Sequence, residues 1–338
     1  MRRKYGILVG VGISLLTLAL ILSGVDLQRV RSALAEADYR FVLPAFALLV
    51  IGHVTRAVRW RALLMDRLPL LPAFSVLNIS YLLNGALPFR LGEVARIFLA
   101  TQAAPPIPAF TALSTILVER LLDLLAVMGM LGLVLVTLPV PAAVTTAGVT
   151  LGVGALAGVG VLSVIARRRE WAFHILSQAE RWLPLLRPGS LHGAVGRFID
   201  GLQPLTSWRG VFRAVFWTGV SWGFSILAGY ILLYAFYPQP TWPAVLMFIV
   251  MAALAVSVPY VPGAVGPYEA GVVMALSLTG FGQPEGAAVA FAIVLHATNL
   301  SVYTLLGVLG LLQQGVTLGQ VVRGARNLRP APTPGLLE

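Results

Sequence analysis

Ionisable residues are rare in this chain, and several of them fall inside long apolar stretches. The first group comprises Arg90, Glu93, Arg96, Glu119, Arg120 and Asp123. Ionisable side chains at membrane depth are costly and usually serve a function. A guanidinium group binds phosphate in a bidentate manner. These residues are therefore candidates for binding a lipid headgroup or a proton.

A second group repeats this arrangement near the C-terminus. Glu269 follows a turn rich in proline and glycine, and His296 lies in the next long apolar stretch, with Asn299 one helical turn beyond it. The spacing from Glu269 to His296 nearly equals the spacing from Glu93 to Glu119 in the first group. Paired breaks of this kind in a membrane protein indicate a binding site between two structural repeats.

Each candidate also has a plainer structural explanation. Glu93 opens a helix, where a carboxylate simply complements the helix dipole. Glu119, Arg120 and Asp123 have the spacing of an ion-paired cluster that braces neighbouring helices. His296 is compatible with a packing role in an apolar helix. The sequence leaves these alternatives open.

Two interruptions predict broken or re-entrant hairpins rather than ordinary spans. Turn-forming residues interrupt the apolar segment 69–101, and a second set separates the apolar segments 242–258 and 267–282. They are Asn84, Pro88 and Gly92 in the first hairpin, and Pro262, Gly263 and Gly266 in the second. Glycine allows close backbone approach, and such irregular backbone occurs at membrane depth only where it lines a cavity or is buried.

Composition places the chain among membrane proteins. Hydrophobic residues make up 58% of it and charged residues only 11%, against about 25% charged in soluble domains. The absence of cysteine excludes disulfides and thiolate metal sites. No two histidines have zinc-ligand spacing on one helix, and no phosphate-binding loop is present. We expect no metal, no cofactor and no enzymatic constellation.

The apolar stretches predict an all-α polytopic protein with about six full transmembrane helices and two hairpins. The full helices are expected at about 5–23, 41–53 (continuing into the basic run 56–61), 108–138, 143–166, 211–236 and 287–312. Together they form one transmembrane domain, 1–315. Residues 170–210 are expected to be a cytoplasmic amphipathic linker, lying on the membrane or packing on the protein, and 316–338 a disordered cytoplasmic tail.

Charge distribution sets the expected topology. The net charge is +11, and most basic residues flank apolar spans. This follows the positive-inside pattern in a cytoplasmic (inner) membrane with both termini cytoplasmic, and it does not indicate nucleic-acid binding. The basic run from Arg56 to Arg61 resembles side chains at headgroup level. The two helix–hairpin–helix units then have opposite orientations, which is an inverted repeat.

Several ordered motifs resemble one family. They are Arg59-Trp60, the segment from Asn84 to Glu93, Glu119-Arg120 with Asp123, and the segment from Pro259 to Glu269. Together they resemble the lysylphosphatidylglycerol synthase transmembrane family, a flippase-like domain, over roughly 5–315. The resemblance implies an inner-membrane protein that moves lipids or lipid-linked headgroups between leaflets.

Departures from the family pattern limit what the resemblance implies. The chain stops at Glu338 without an aminoacyl-transferase domain, so lipid aminoacylation is not expected. Ala264 replaces a common glycine, and His296 stands where an arginine is common.

Three functions remain as hypotheses. The first is a flippase-like transporter of an anionic phospholipid or lipid-linked headgroup. The second is a non-catalytic partner of a separately encoded glycosyl- or aminoacyl-transferase. The third is a membrane-embedded enzyme that uses Glu93 or Glu119 as a base. The oligomeric state is unknown from sequence.

Overall fold

A computed structural model describes residues 26–87, 90–138, 141–182, 191–256, 262–284 and 286–327. This part of the chain is all-α and contains thirteen α-helices. They are α1 Leu27–Glu36, α2 Val42–Leu63, α3 Leu70–Ala86, α4 Leu91–Gln102, α5 Ala109–Thr137, α6 Ala142–Arg167, α7 Arg169–Trp182, α8 His192–Asp200, α9 Trp208–Leu233, α10 Trp242–Val256, α11 Pro267–Leu278, α12 Ala287–Gln314 and α13 Leu318–Arg326.

The predicted polytopic class is confirmed. Five stretches of the described chain are long and apolar enough to cross a membrane: Tyr39–Leu63, Ala109–Thr137, Ala142–Arg167, Trp208–Leu233 and Ala287–Gln314. They correspond to five of the six predicted spans. The sixth prediction, 5–23, lies outside the described residues.

Both predicted hairpins are present. Hairpin 1 consists of α3 and α4, and hairpin 2 consists of α10 and α11. Their limbs have 17, 12, 15 and 12 residues. At about 1.5 Å per residue, each limb is shorter than a hydrocarbon layer of about 30 Å. By length, the limbs are therefore short for ordinary membrane spans, as expected of broken or re-entrant hairpins.

The pattern of helix packing repeats between two units. Unit one is α2 with hairpin 1 and α5, and unit two is α9 with hairpin 2 and α12. Helix α3 packs on α12, and its counterpart α10 packs on α5. The contacts α3–α4 and α4–α5 recur as α10–α11 and α11–α12, and α2 packs extensively on its own counterpart α9.

The repeat is inverted because α2 and α9 run antiparallel. The backbone N–H of Asp38, before α2, donates to the Ala235 carbonyl just after α9. At the other end of the contact, the Arg59 guanidinium donates to the Thr218 hydroxyl. A two-fold axis that exchanges two antiparallel helices is perpendicular to both, and for spanning helices it lies in the membrane plane.

The polar segment between the units divides into two parts. Helix α8 packs on α5, where the Thr111 hydroxyl donates to the Arg197 carbonyl and Ile199 is buried. Helix α7 instead leaves Trp171 and Ile175 exposed, which suits a membrane surface.

The tail prediction requires correction. Residues Leu318–Arg326 form a helix rather than a disordered segment, and Thr317 and Gln320 cap its start reciprocally. Val321 is fully buried, and α13 packs on α4. The amphipathic spacing within this short segment is what allows it to dock. Residues 328–338 lie outside the described part.

Candidate functional site

Hairpin 1 turns tightly around a glycine. The Gly92 N–H donates to the Asn84 side-chain oxygen over 2.9 Å. A Cβ on Gly92 would lie 2.6 Å from that oxygen and would also overlap the Ser80 carbonyl oxygen. Arg90 precedes α4 in the left-handed backbone region, with φ 49°, which non-glycine residues rarely adopt. Pro88 lies outside the described residues.

Hairpin 2 also relies on glycines at its turn. Pro262 begins a short 3-10 turn that includes Gly263, with φ 59°. Gly266 has φ 94° and ψ −70°, a conformation that favours glycine. The Gly266 N–H donates to Glu269 Oε2 over 2.7 Å, which fixes the start of α11.

The two hairpins meet at their turns. A Cβ on Gly263 would lie 2.9 Å from the Gly85 carbonyl oxygen, so only glycine permits this approach. The Arg90 guanidinium donates to the carbonyl of Val256, the last residue of α10, over 3.0 Å. Both contacts join unit one to unit two.

A buried ion network lies beneath hairpin 1. Arg96 binds Glu119 with both terminal nitrogens, at 3.1 and 2.9 Å, and stacks 3.9 Å above the Trp60 ring. Arg59 lies 3.2 Å from Glu119 and 2.5 Å from Asp123. The side chains of Arg59, Arg96 and Glu119 are at most 1% exposed. The network satisfies charges that would otherwise be very costly to bury.

A second layer of the network reaches the cavity described below. Arg120 lies 3.2 Å from Glu93 and 3.5 Å from Asp123. Arg90 lies 3.9 Å from Glu93. The Trp222 indole N–H of unit two donates to Asp123 over 3.1 Å. Arg90 and Arg120 remain about one-third exposed, so they can still meet a ligand.

The site has a surplus of positive charge. It contains five arginines (Arg56, Arg59, Arg90, Arg96 and Arg120) and three carboxylates (Glu93, Glu119 and Asp123), and the difference is two positive charges. Arg56 donates to the Ser225 hydroxyl over 2.9 Å. Such a surplus in a poorly hydrated site favours an anionic ligand.

A cavity of about 400 Å³ opens between the two units. The polar residues that line it include Arg56, Tyr81, Arg90, Arg120, Asp123, Asn299 and Tyr303. The apolar residues that line it include Ala45, Leu49, Val127, Leu232, Phe248 and Ile249. The cavity is therefore amphipathic, because guanidinium groups and aliphatic and aromatic groups both line it.

The predicted site residues occupy three kinds of position. Arg90, Arg120, Asp123 and Asn299 line the cavity. Glu93 contacts two of its arginines, whereas Arg96 and Glu119 lie deep in the buried ion network. The remaining two, Glu269 and His296, form their own pair, with Nδ1 and Oε1 2.6 Å apart.

Two arginines were misassigned from the sequence. Arg59, expected at headgroup level, is fully buried in the ion network, and Trp60 is likewise buried. Arg56 faces the cavity. Hydropathy alone places a basic run at a helix end, but the spacing of His53, Arg56 and Arg59 puts all three on one helical face. That face points into the protein.

The described residues contain no group of three or more acidic or histidine side chains suited to a metal ion. Within the same part of the chain, the polar side chains of the cavity are arginine, aspartate, asparagine, serine, tyrosine and tryptophan. This set can bind an anion and hydroxyl groups by charge and hydrogen bonding.

Comparison with known proteins supports a membrane assignment. The chain is 26% identical over 360 residues to a protein named glycosyltransferase AglD, from Haloferax volcanii. The match covers 97% of this chain but 57% of that relative, so the chain spans little more than half of its length. No solved structure matches. The family model described as the lysylphosphatidylglycerol synthase TM region matches residues 7–307.

Proposed function

This chain belongs to the family of the lysylphosphatidylglycerol synthase transmembrane region, and we propose that it moves an anionic lipid between the leaflets of a membrane. The cargo is a phospholipid or a lipid-linked headgroup. The observation that carries this proposal is the amphipathic cavity between the two units, which is lined by Arg56, Arg90 and Arg120 together with many apolar side chains.

The arginines suit the phosphate of a lipid. Arg90 and Arg120 are held in place by Glu93 yet are each about one-third exposed, so a phosphate oxygen can approach them without breaking the buried Arg96–Glu119 pair. Guanidinium groups bind phosphate with geometric specificity. Asn299 and Tyr303 add hydrogen-bonding groups for a polar headgroup.

The apolar walls suit the start of an acyl or isoprenoid chain. A cavity of about 400 Å³ falls within the ordinary range for ligand pockets, about 300–1,000 Å³. The headgroup then contacts the polar side chains while the lipid chains remain largely in the bilayer. Movement of the two hairpins relative to their units gives the headgroup access from alternate sides.

Leaflet exchange in proteoliposomes tests this proposal. Fluorescent anionic, aminoacylated and zwitterionic lipids are compared for the wild type, Arg90→Ala, Glu93→Ala and a control, Arg67→Ala. Arg67 is exposed outside the cavity. We expect headgroup-selective exchange that both site variants lose and the control keeps. Exchange retained in folded Arg90→Ala and Glu93→Ala proteins contradicts the proposed site.

A second candidate is a membrane partner of a transferase. The observation that favours it is the relative named as a glycosyltransferase, of which this chain matches 57%. In this proposal the chain presents a lipid-linked substrate to an enzyme encoded separately. Copurification with a glycosyl- or aminoacyl-transferase, together with no exchange by the isolated chain, supports this function over autonomous transport.

The proposed location is the cytoplasmic membrane, with residues 1–315 as the transmembrane domain and both termini in the cytoplasm. The linker 170–210 then lies on the cytoplasmic side. Since the chain has no cysteine, a single cysteine at exposed Gln178 reports orientation through an impermeant thiol reagent. Labelling from outside intact cells contradicts this orientation.

A further inference from the structure

Each hairpin carries a carboxylate at an equivalent position that contacts its partner helix. Glu93 is the third residue of α4, and its partner Arg120 lies on α5. Glu269 is the third residue of α11, and His296 lies on α12 at the same sequence separation from its carboxylate. The two pairs are therefore counterparts in the inverted repeat.

The two pairs differ in one chemical respect. Arginine stays charged under all physiological conditions, so the Glu93–Arg120 pair is permanently ionic. Histidine gains or loses its proton near neutrality unless its surroundings prevent it. Of the two pairs, only Glu269–His296 contains a histidine. The repeat thus places a fixed charge on hairpin 1 and a proton acceptor beside hairpin 2.

The second pair is hydrogen-bonded to the turn of hairpin 2. Glu269 Oε1 lies 2.6 Å from His296 Nδ1, while Oε2 accepts the Gly266 N–H. The His296 and Glu269 side chains are only 7% and 9% exposed. The Tyr268 ring stacks on the His296 ring with centroids 4.2 Å apart. One carboxylate therefore links the turn to α12.

Few other charges stand near this pair in the described residues. Helix α11 contributes Tyr268 besides Glu269, and α12 itself contributes Tyr303. Around Tyr303 stand Tyr81 of α3, His53 and Arg56 of α2, and Arg120 of α5. Helices α9 and α10 bring apolar side chains and Trp222 to this side. In this part of the chain, Glu269 is the ion-pair partner of His296.

We propose that Glu269 and His296 form a proton-binding site that fastens hairpin 2 to α12, an inference that rests on the proposed transport function. The imidazole takes one proton from water and returns it to water, while Glu269 stays ionised. With the proton bound, the pair is neutral overall. Without it, a buried carboxylate keeps only hydrogen bonds, which is costly, and hairpin 2 loosens.

The absence of native cysteine allows a direct test. A Val265→Cys variant places one thiol in the turn of hairpin 2, and Leu87→Cys places one in the turn of hairpin 1. The maleimide labelling rate of Val265→Cys is divided by that of Leu87→Cys, which removes the part of the pH dependence that the two thiols share. We expect this ratio to rise several-fold as the pH of the assay is raised, through a transition that involves one proton.

Replacement of the histidine should abolish that transition. In a His296→Arg background the pair becomes permanently ionic, like Glu93–Arg120, and the ratio should stay low and independent of pH. If that protein fails to fold, Glu269→Gln should give a ratio that is high at every pH. His174→Gln, at an exposed position on α7, should keep the wild-type profile.

Two outcomes overturn the proton site: a ratio independent of pH in the wild-type background, or a transition that survives His296→Arg. Lipid exchange measured on the same proteoliposomes separates the two proposals. A normal labelling transition without exchange of any lipid tested contradicts the transport function alone. Exchange with a flat labelling ratio contradicts the proton site alone.

Discussion

Asp123 lies 2.5 Å from Arg59, and this contact joins α2 and α5 at the centre of unit one. The same carboxylate accepts the Trp222 indole N–H from α9 of unit two. Asp123 is therefore the point at which the buried ion network, the cavity wall and the second unit meet. Its position makes the network part of the structure that holds the cavity in shape.

Glu119→Gln should strongly destabilise the protein. The change removes the negative charge between Arg59 and Arg96, which are both fully buried. Removing one partner of a buried pair typically costs about 3–5 kcal/mol. Thermal unfolding in detergent measures the loss, with Glu170→Gln at an exposed position as the control. Equal midpoints for both variants would show that the network contributes little to stability.

Gly92→Ala should destabilise hairpin 1, because the new Cβ meets the Asn84 side chain and the Ser80 carbonyl. Overpacking of this kind costs about 1–3 kcal/mol. Gly154→Ala is the matched control, since no atom lies within 4 Å of its Cβ position on α6. That change should be neutral or stabilising by up to about 1 kcal/mol. The pair is compared by thermal unfolding, and the reverse order would contradict the turn geometry.

Ala45→Phe should block lipid exchange by filling part of the cavity, which Ala45 lines. Ala47→Phe, two residues along the same helix, projects an equal volume from an exposed position and should leave exchange within about twofold of the wild type. Both proteins are assayed at matched insertion into liposomes. Unimpaired exchange by a folded Ala45→Phe protein would mean that lipid does not pass through this cavity.

Arg56→Gln should weaken selection for anionic lipids. The Arg56 guanidinium lines the cavity and donates to Ser225 rather than to a carboxylate. Its removal lowers the positive surplus of the site and should reduce the ratio of anionic to zwitterionic exchange about tenfold, the effect of roughly 1.4 kcal/mol. Arg67→Gln provides the control. An unchanged ratio would exclude Arg56 from headgroup recognition.

Tyr237 should cause the free energy of unfolding to fall as the pH rises in the alkaline range. It follows α9, and its hydroxyl donates to the Phe281 carbonyl over 2.7 Å. Burial raises the pKa of Tyr237 above its ordinary value. The neutral phenol therefore stabilises the fold fully below about pH 10, the unfolded value, and this contribution is lost as pH rises towards the higher folded pKa. Unfolding midpoints from pH 8 to 11 should fall less steeply in Tyr237→Phe. Identical slopes would contradict the assignment.

Local sequence signals predicted the breaks of both hairpins well. Proline and glycine restrict the backbone strongly enough that Gly92 and Gly266 mark the starts of α4 and α11 within a residue or so. The Glu269–His296 spacing was recognised as a repeat of the Glu93–Glu119 spacing, although the direct contact between the two side chains was not predicted. These features depend on few residues close in sequence or on one repeated distance.

Long-range packing was not accessible from the same signals. The burial of Arg59 depends on Asp123 and Glu119, which lie far along the chain on α5 and compensate its charge. Helix α13 was missed because its apolar face is short, and the packing of that face on α4 is a long-range contact that local sequence does not show. Hydropathy records how apolar a segment is, but it does not record which neighbour covers a charge.

The contact between the two turns, Gly85 against Gly263 and Arg90 against Val256, has a consequence for motion between the two units. At this point the two units are joined through the turn ends of short hairpins and not through a continuous helix. If the hairpins move in transport, only these few contacts have to change, whereas a continuous helix would have to slide or tilt as a whole.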